Sequence, residues 1–159
     1  MRPVWACGRG SELQSNVARS PGAAPDVKKL VTCREELTRK FPDATIVLVA
    51  DASLSRLVEQ DSDESDRALL KQMISNNQLQ SVPAGTPGKA DSFILRLASS
   101  KSGLVVSNDS YREFQGDHPW LFEEGRLYGH TYIPAVGWQF TLRFPVRSTI
   151  RSGSVPTRH

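Results

Sequence analysis

The chain has 159 residues, of which 38% are hydrophobic, and a formal net charge of +3. That is the size of one domain, long enough to bury roughly 70% of its unfolded surface. No apolar run nears the ~18–20 residues of a membrane-spanning helix, and Met1 to Gly10 lacks the apolar stretch of an export signal. A cytoplasmic protein without membrane contact is therefore expected. Cys7 and Cys33 have no CxxC companion, and the 3 histidines are scattered, which excludes a four-ligand structural zinc site. Both cysteines are read as free thiols.

Short β-branched runs alternate with helical stretches, the pattern of βαβ units around a parallel sheet. The stretch Met1 to Gly10 has no β-branched run. Residues 19–25 form a loop, and Val27, Leu30, Val31 and Leu37 then recur at helical spacing. Thr45 to Ala50 is a strand without polar alternation, as when both sheet faces are covered. Ser53 to Asp66 reads as part helix and part loop, Asp66 to Ile74 as helix, and Leu79 to Val82 as a short strand. After the turn-rich Pro83 to Lys89, an amphipathic helix over Ala90 to Lys101 buries Phe93, Ile94, Leu97 and Ala98. Gly103 to Ser107 is a buried strand. Pro119 to Arg126 is a short helix opened by proline. Leu127 to Ile133 and Trp138 to Phe144 flank a turn, the second alternating apolar and polar residues. One domain over 1–145 is expected, followed by a basic, disordered tail over 146–159. From Arg143 onward stand four arginines and no acid. Such a tail suits a polyanion, because cations near phosphates release counterions, and equally suits a merely solvated end.

In open parallel sheets, ligands gather beyond the carboxyl ends of the strands. Asp51 and Asp109 each follow such an end, and Asp91 lies in the first turn of a helix. Carboxylates gathered there repel one another unless a hard divalent cation neutralises them. Taken singly, Asp91 is as readily a helix cap and Asp51 a strand terminus. The joint placement carries the metal reading.

The stretch from Val105 to Glu113, Val-Val-Ser-Asn-Asp-Ser-Tyr-Arg-Glu, resembles the "VSNDxYRD" signature of Regnase-type NYN ribonucleases of the PIN-like superfamily. Gly88 to Leu95 is similar to the family segment leading into its acidic helix start. Ser15-Asn-Val-Ala18 resembles the end of its "DGSNVA" motif, and Cys33-Arg34 a pair on its first helix. These matches run in family order from about Leu13 to Ile133. No Regnase-type zinc finger accompanies them, so stand-alone, bacterial-type members are the nearer comparison. The resemblance implies a three-layer PIN-like (Rossmannoid) α/β fold with a mainly parallel sheet and a central first strand, atypical here because Met1 to Gly10 lacks the expected β-branched run. It also implies hydrolysis of RNA phosphodiester bonds with Mg²⁺ or Mn²⁺ held by Asp91, Asp109 and Glu113. Asn16 matches an asparagine that helps hold the site. Lys89 is placed to meet a phosphate; Arg112 either does the same or pairs with an acid. Glu113 replaces the usual aspartate, keeping the charge and adding a methylene. Asp109 and Glu113, four residues apart, face one way if a helical turn starts there.

One departure bears on activity. The family's first metal-binding aspartate, three residues before Asn16, falls on Leu13, which cannot ligate a cation. Either the start of the chain has been altered or this copy is degenerate, and the alternative to an active nuclease is an inactive RNA-binding or structural relic. Pro83 to Gly88 lacks the first glycine and the Ser/Thr of a Walker A loop, which excludes a nucleotide triphosphatase of that kind. A receiver-like phosphoacceptor centred on Asp51 lacks the acidic pair at the end of its first strand. Tyr111 is either a base-stacking ring or core packing, and His118 is assigned no role.

Overall fold

The computed structural model describes residues 4–7, 26–83 and 89–148. The chain runs β1 (Val4–Cys7), α1 (Val27–Lys40), β2 (Ile46–Asp51), α2 (Ala52–Asp61), α3 (Glu64–Ser75) and β3 (Leu79–Val82). It continues with α4 (Lys89–Ser100), β4 (Leu104–Val106), β5 (Leu127–Ile133) and β6 (Gly137–Leu142). Two 3-10 turns, Arg112–Phe114 and Pro119–Phe122, lie between β4 and β5.

The strands form one six-stranded sheet in the order β3-β2-β1-β4-β5-β6. Every neighbouring pair is parallel except β5 and β6, which form an antiparallel hairpin at the edge. β1 is central despite its poor β-branching, pairing Val4 with Ile46 on one side and with Leu104 on the other. Main-chain hydrogen bonds from two neighbours can hold a short segment in a sheet whatever its side chains, which is why composition under-reads this strand.

Side chains alternate across β4 and so divide the core in two. Leu104 and Val106 join α1, α2 and α3 through Val27, Leu30, Leu37, Leu54, Val58, Leu70 and Met73. Val105 faces the other way, with Ile94, Leu95 and Ala98 of α4, and with Tyr111, Leu121 and Leu127. Helices on both faces of a mainly parallel sheet are the expected three-layer α/β architecture. Each fully buried Leu or Ile contributes roughly 1.5–3 kcal/mol relative to exposure.

The local signals act as their chemistry dictates. Asp26 caps α1, its carboxylate accepting from the Lys29 N–H at 3.3 Å. Asp63 caps α3 and accepts from the Asp66 N–H at 2.8 Å, with Glu64 and Asp66 in the first turn. The acidic run is thus a helix start that favours negative charge. The stretch over 53–66, read as part helix and part loop, is helical over Ala52–Asp61, where Leu54 and Val58 supply a buried stripe one turn apart, and breaks at Ser62 and Asp63 before α3. The last strand ends at Leu142 and not at Phe144. Its apolar face fades from Trp138, 5% exposed and held against α1, to Phe144, 54% exposed. The Trp138 indole N–H donates to the Lys29 carbonyl at 3.1 Å. The hairpin turn requires φ of 102° at Gly137, a conformation glycine adopts without steric cost.

Candidate active site

The strand order reverses between β1 and β4: from β1 the chain moves to β2 on one side and later returns to β4 on the other. Such a switch point opens a crevice beyond the carboxyl ends of the two strands. The loop after β4 and the start of α4 meet at this edge. There Asp91, Asn108, Asp109, Ser110, Tyr111, Arg112, Glu113 and Phe114 line a pocket of about 550 Å³.

Each residue of the Ser107-Asn108-Asp109 segment has its own structural task. Ser107 is buried, and its hydroxyl accepts from the Asp109 N–H at 3.1 Å. Asn108 continues the sheet with its side chain. Its Nδ2 donates to the His130 carbonyl at 2.8 Å, and its Oδ1 accepts from the His130 N–H at 2.8 Å. Asp109 Oδ1 accepts from the Tyr111 N–H at 2.7 Å, an Asx-type turn. That turn holds Tyr111 at φ 49°, ψ 41°, a left-handed conformation uncommon for a bulky residue. Such backbone conformations cost roughly 1–3 kcal/mol and persist where surrounding contacts over-determine them. Here the Tyr111 ring supplies the contacts, being 2% exposed among the α4-side core residues. The core packing of Tyr111 leaves no face for a stacked base.

With Tyr111 turned inward, Arg112 and Glu113 emerge exposed on the 3-10 turn. The helical turn starts at Arg112 and not at Asp109, so the four-residue spacing does not align Asp109 with Glu113. The pocket brings them together instead, across the left-handed residue. Arg112 makes no ion pair among the described residues. Asp91 stands half-buried in the first turn of α4 and lines the same pocket. Lys89 is the first residue of α4, although its side chain lies outside the described part. Asn16 and Leu13 also fall outside the described residues. Asp51 ends β2 beside Val82 of β3. His118 accepts at Nδ1 from the Trp120 indole N–H at 3.3 Å, a local structural contact.

Among the described residues, no three acids, histidines or cysteines converge tightly enough to form a ready-made metal cluster. The three carboxylates do line one pocket, and their oxygens are the hard donors that Mg²⁺ and Mn²⁺ take. Mg²⁺ keeps several waters and commonly uses only one or two carboxylates, so a roomy pocket with dispersed acids fits a hydrated ion.

Arg143 is the site residue that sequence reasoning missed, having been counted with the basic tail. Its guanidinium donates to the carbonyls of Ser107 and Asp109, each at 3.0 Å, and to Ser110 Oγ at 3.1 Å. Ser110 Oγ also accepts from the Val146 N–H at 2.9 Å. Gln115, buried, donates to the Ser110 and Val146 carbonyls at 2.8 and 2.7 Å and accepts from the Ser148 N–H at 2.8 Å. The strip from Arg143 to Ser148 is therefore stitched to the pocket loop. The only sequence signal is an arginine one residue past a strand end, which is too common to be read.

An α/β sheet with an acidic pocket at its switch point is the architecture of the PIN-like nucleases. Two solved structures share the fold, both of nuclear protein-only RNase P 2 (PRORP2) of Arabidopsis thaliana. They match with TM-scores of 0.66 and 0.68 at 18% and 17% identity. Each match covers 91% of this chain and 30% of the plant protein, so the chain corresponds to under a third of that protein's length. The family model of the Zc3h12a-like Ribonuclease NYN domain matches residues 14–132, and the chain belongs to that family. No curated protein matches the chain. The family match begins at Gln14, the residue after Leu13.

Proposed function

We propose that the chain is an endoribonuclease that hydrolyses RNA phosphodiester bonds with Mg²⁺ or Mn²⁺. The observation that carries this reading is the meeting of Asp91, Asp109 and Glu113 on one pocket at the switch point of a ribonuclease-family fold. In this reading, those three residues hold the ion. Lewis-acid polarisation of the phosphodiester and a more acidic water are the chemistry such an ion supplies when bound. Lys89, at the start of α4, and Arg112, exposed and without an ion pair among the described residues, meet RNA phosphates. Asn16 helps hold the site, as the family resemblance implies.

Leu13, standing where the resemblance expects an aspartate, supports a weakened reaction, and in the extreme an inactive RNA-binding relic. Cleavage of a single-stranded RNA with Mn²⁺, comparing the native chain with Leu13→Asp, separates the readings. Activity that rises in the variant supports an impaired nuclease, and activity that appears only there supports the relic. Absence of cleavage by both chains sinks the nuclease proposal.

A further inference from the structure

We infer that Arg143 is the positioning residue of the acidic pocket, and that its guanidinium sets where the Asp109 and Glu113 carboxylates stand. The inference rests on the metal-site reading above but reaches a residue outside the matched family span of 14–132. Three of the contacts that hold the Asp109 loop are the Ser107 hydroxyl, the Asn108 clasp on β5, and Arg143. The first two fix residues before and at the base of the loop. Arg143 bonds on both sides of Asn108, to the Ser107 and Asp109 carbonyls, and then reaches Ser110.

A planar fork of donors spans several acceptors at once, which the single point charge of a lysine cannot reproduce. The sheet also leaves room for this arginine. A Cβ added at Gly129 would lie 3.1 Å from Arg143 Cδ and 3.1 Å from Asn108 Oδ1, so the arginine stem crosses β5 where a side chain is missing. Because the cationic head binds the Ser107 and Asp109 carbonyls, it fixes the loop main chain without using the Asp109 carboxylate. Partners that orient ligating residues typically account for about 10–100-fold in metal affinity or activity.

The test uses the full chain and the variants Arg143→Ala and Arg143→Lys at a temperature where all are folded by circular dichroism. Hydrogen exchange of the Tyr111 amide, which is bonded to Asp109 Oδ1, reads the loop without any metal. Mn²⁺ affinity, from the paramagnetic resonance of the free ion, reads the pocket. The expected result is Tyr111 exchange at least about ten-fold faster in both variants, with the Val105 amide unchanged, and Mn²⁺ binding about 10–100-fold weaker. Millimolar guanidinium should restore part of the Mn²⁺ affinity of Arg143→Ala, which a merely destabilised variant would not show. Unchanged Tyr111 exchange overturns the inference, as does unchanged Mn²⁺ affinity in a chain that binds the ion. If the native chain binds no Mn²⁺, the metal reading fails, and Tyr111 exchange alone decides the role of Arg143.

Discussion

Asn108 and His130 are joined by two hydrogen bonds of 2.8 Å, in which the asparagine side chain imitates a strand neighbour for the main chain of β5. Neither Asp nor Ala can reproduce this pairing. Asn108→Asp places a carboxylate oxygen against the His130 carbonyl, and the expected loss is about 1–3 kcal/mol in urea unfolding. Asn108→Ala removes both bonds without adding repulsion and should lose about 0.5–1.5 kcal/mol. Equal stabilities for all three chains would show that the clasp contributes nothing.

Gly129→Ala tests the space behind that clasp. In an ordinary strand, alanine is more stable than glycine by roughly 0.5–1 kcal/mol. Here the new Cβ meets Arg143 Cδ and Asn108 Oδ1 at 3.1 Å, and both neighbours are held in place by hydrogen bonds. The sign should reverse, with a loss of about 1–3 kcal/mol from overpacking. Thermal melting of the two chains checks it, and a more stable alanine variant would mean that the arginine can yield.

Asp109→Asn separates chemistry from structure at the pocket. The amide keeps an oxygen to accept from the Tyr111 N–H, so the turn and the far-ultraviolet circular dichroism should be unchanged. The lost negative charge should remove RNA cleavage almost wholly, a fall of at least about 100-fold if the carboxylate holds the ion. Normal cleavage by this variant would move the metal site elsewhere. Asp109→Ala should lose the turn as well, and with it about 1 kcal/mol of stability.

Cys33 gives a prediction about pH. It is buried on α1, and burial pushes its thiol from 9.0 up to about 12. The unfolded chain therefore gives up this proton first as pH rises. Stability from the buried thiol is fully present below pH 9 and is lost as pH rises from about 9 towards about 12. Between pH 8 and pH 10 the native chain should lose about 1.4 kcal/mol more than Cys33→Ala. The measurement is urea unfolding of both chains at the two pH values. Parallel losses would place the thiol in contact with water.

Much of the architecture was legible because its signals are local. The helical spacing of Val27, Leu30 and Leu37 and the unbroken apolar run of β2 each depend on residues within one element. The Ser-Asn-Asp run could be recognised because the family signature it resembles is contiguous, from Val105 to Glu113. Two readings failed where local rules met a non-local constraint. A helical turn from Asp109 assumed ordinary backbone angles, whereas burial of the Tyr111 ring selects the left-handed one. The alternation through Phe144 assumed a partner along the whole strand, whereas exposure rises from Trp138 to Leu142 and Phe144.

By itself, the sequence determined the alternation of strands and helices and the chemical kinds of residue available at the strand ends, because periodicity and turn chemistry are written within short windows. Only the tertiary structure decided that Asp91 lines one pocket with Asp109 and Glu113, and that Arg143 belongs to the pocket loop. Those relations depend on strand order and on the register of β5 against β4 and β6, which set which distant main-chain groups come within reach of one guanidinium.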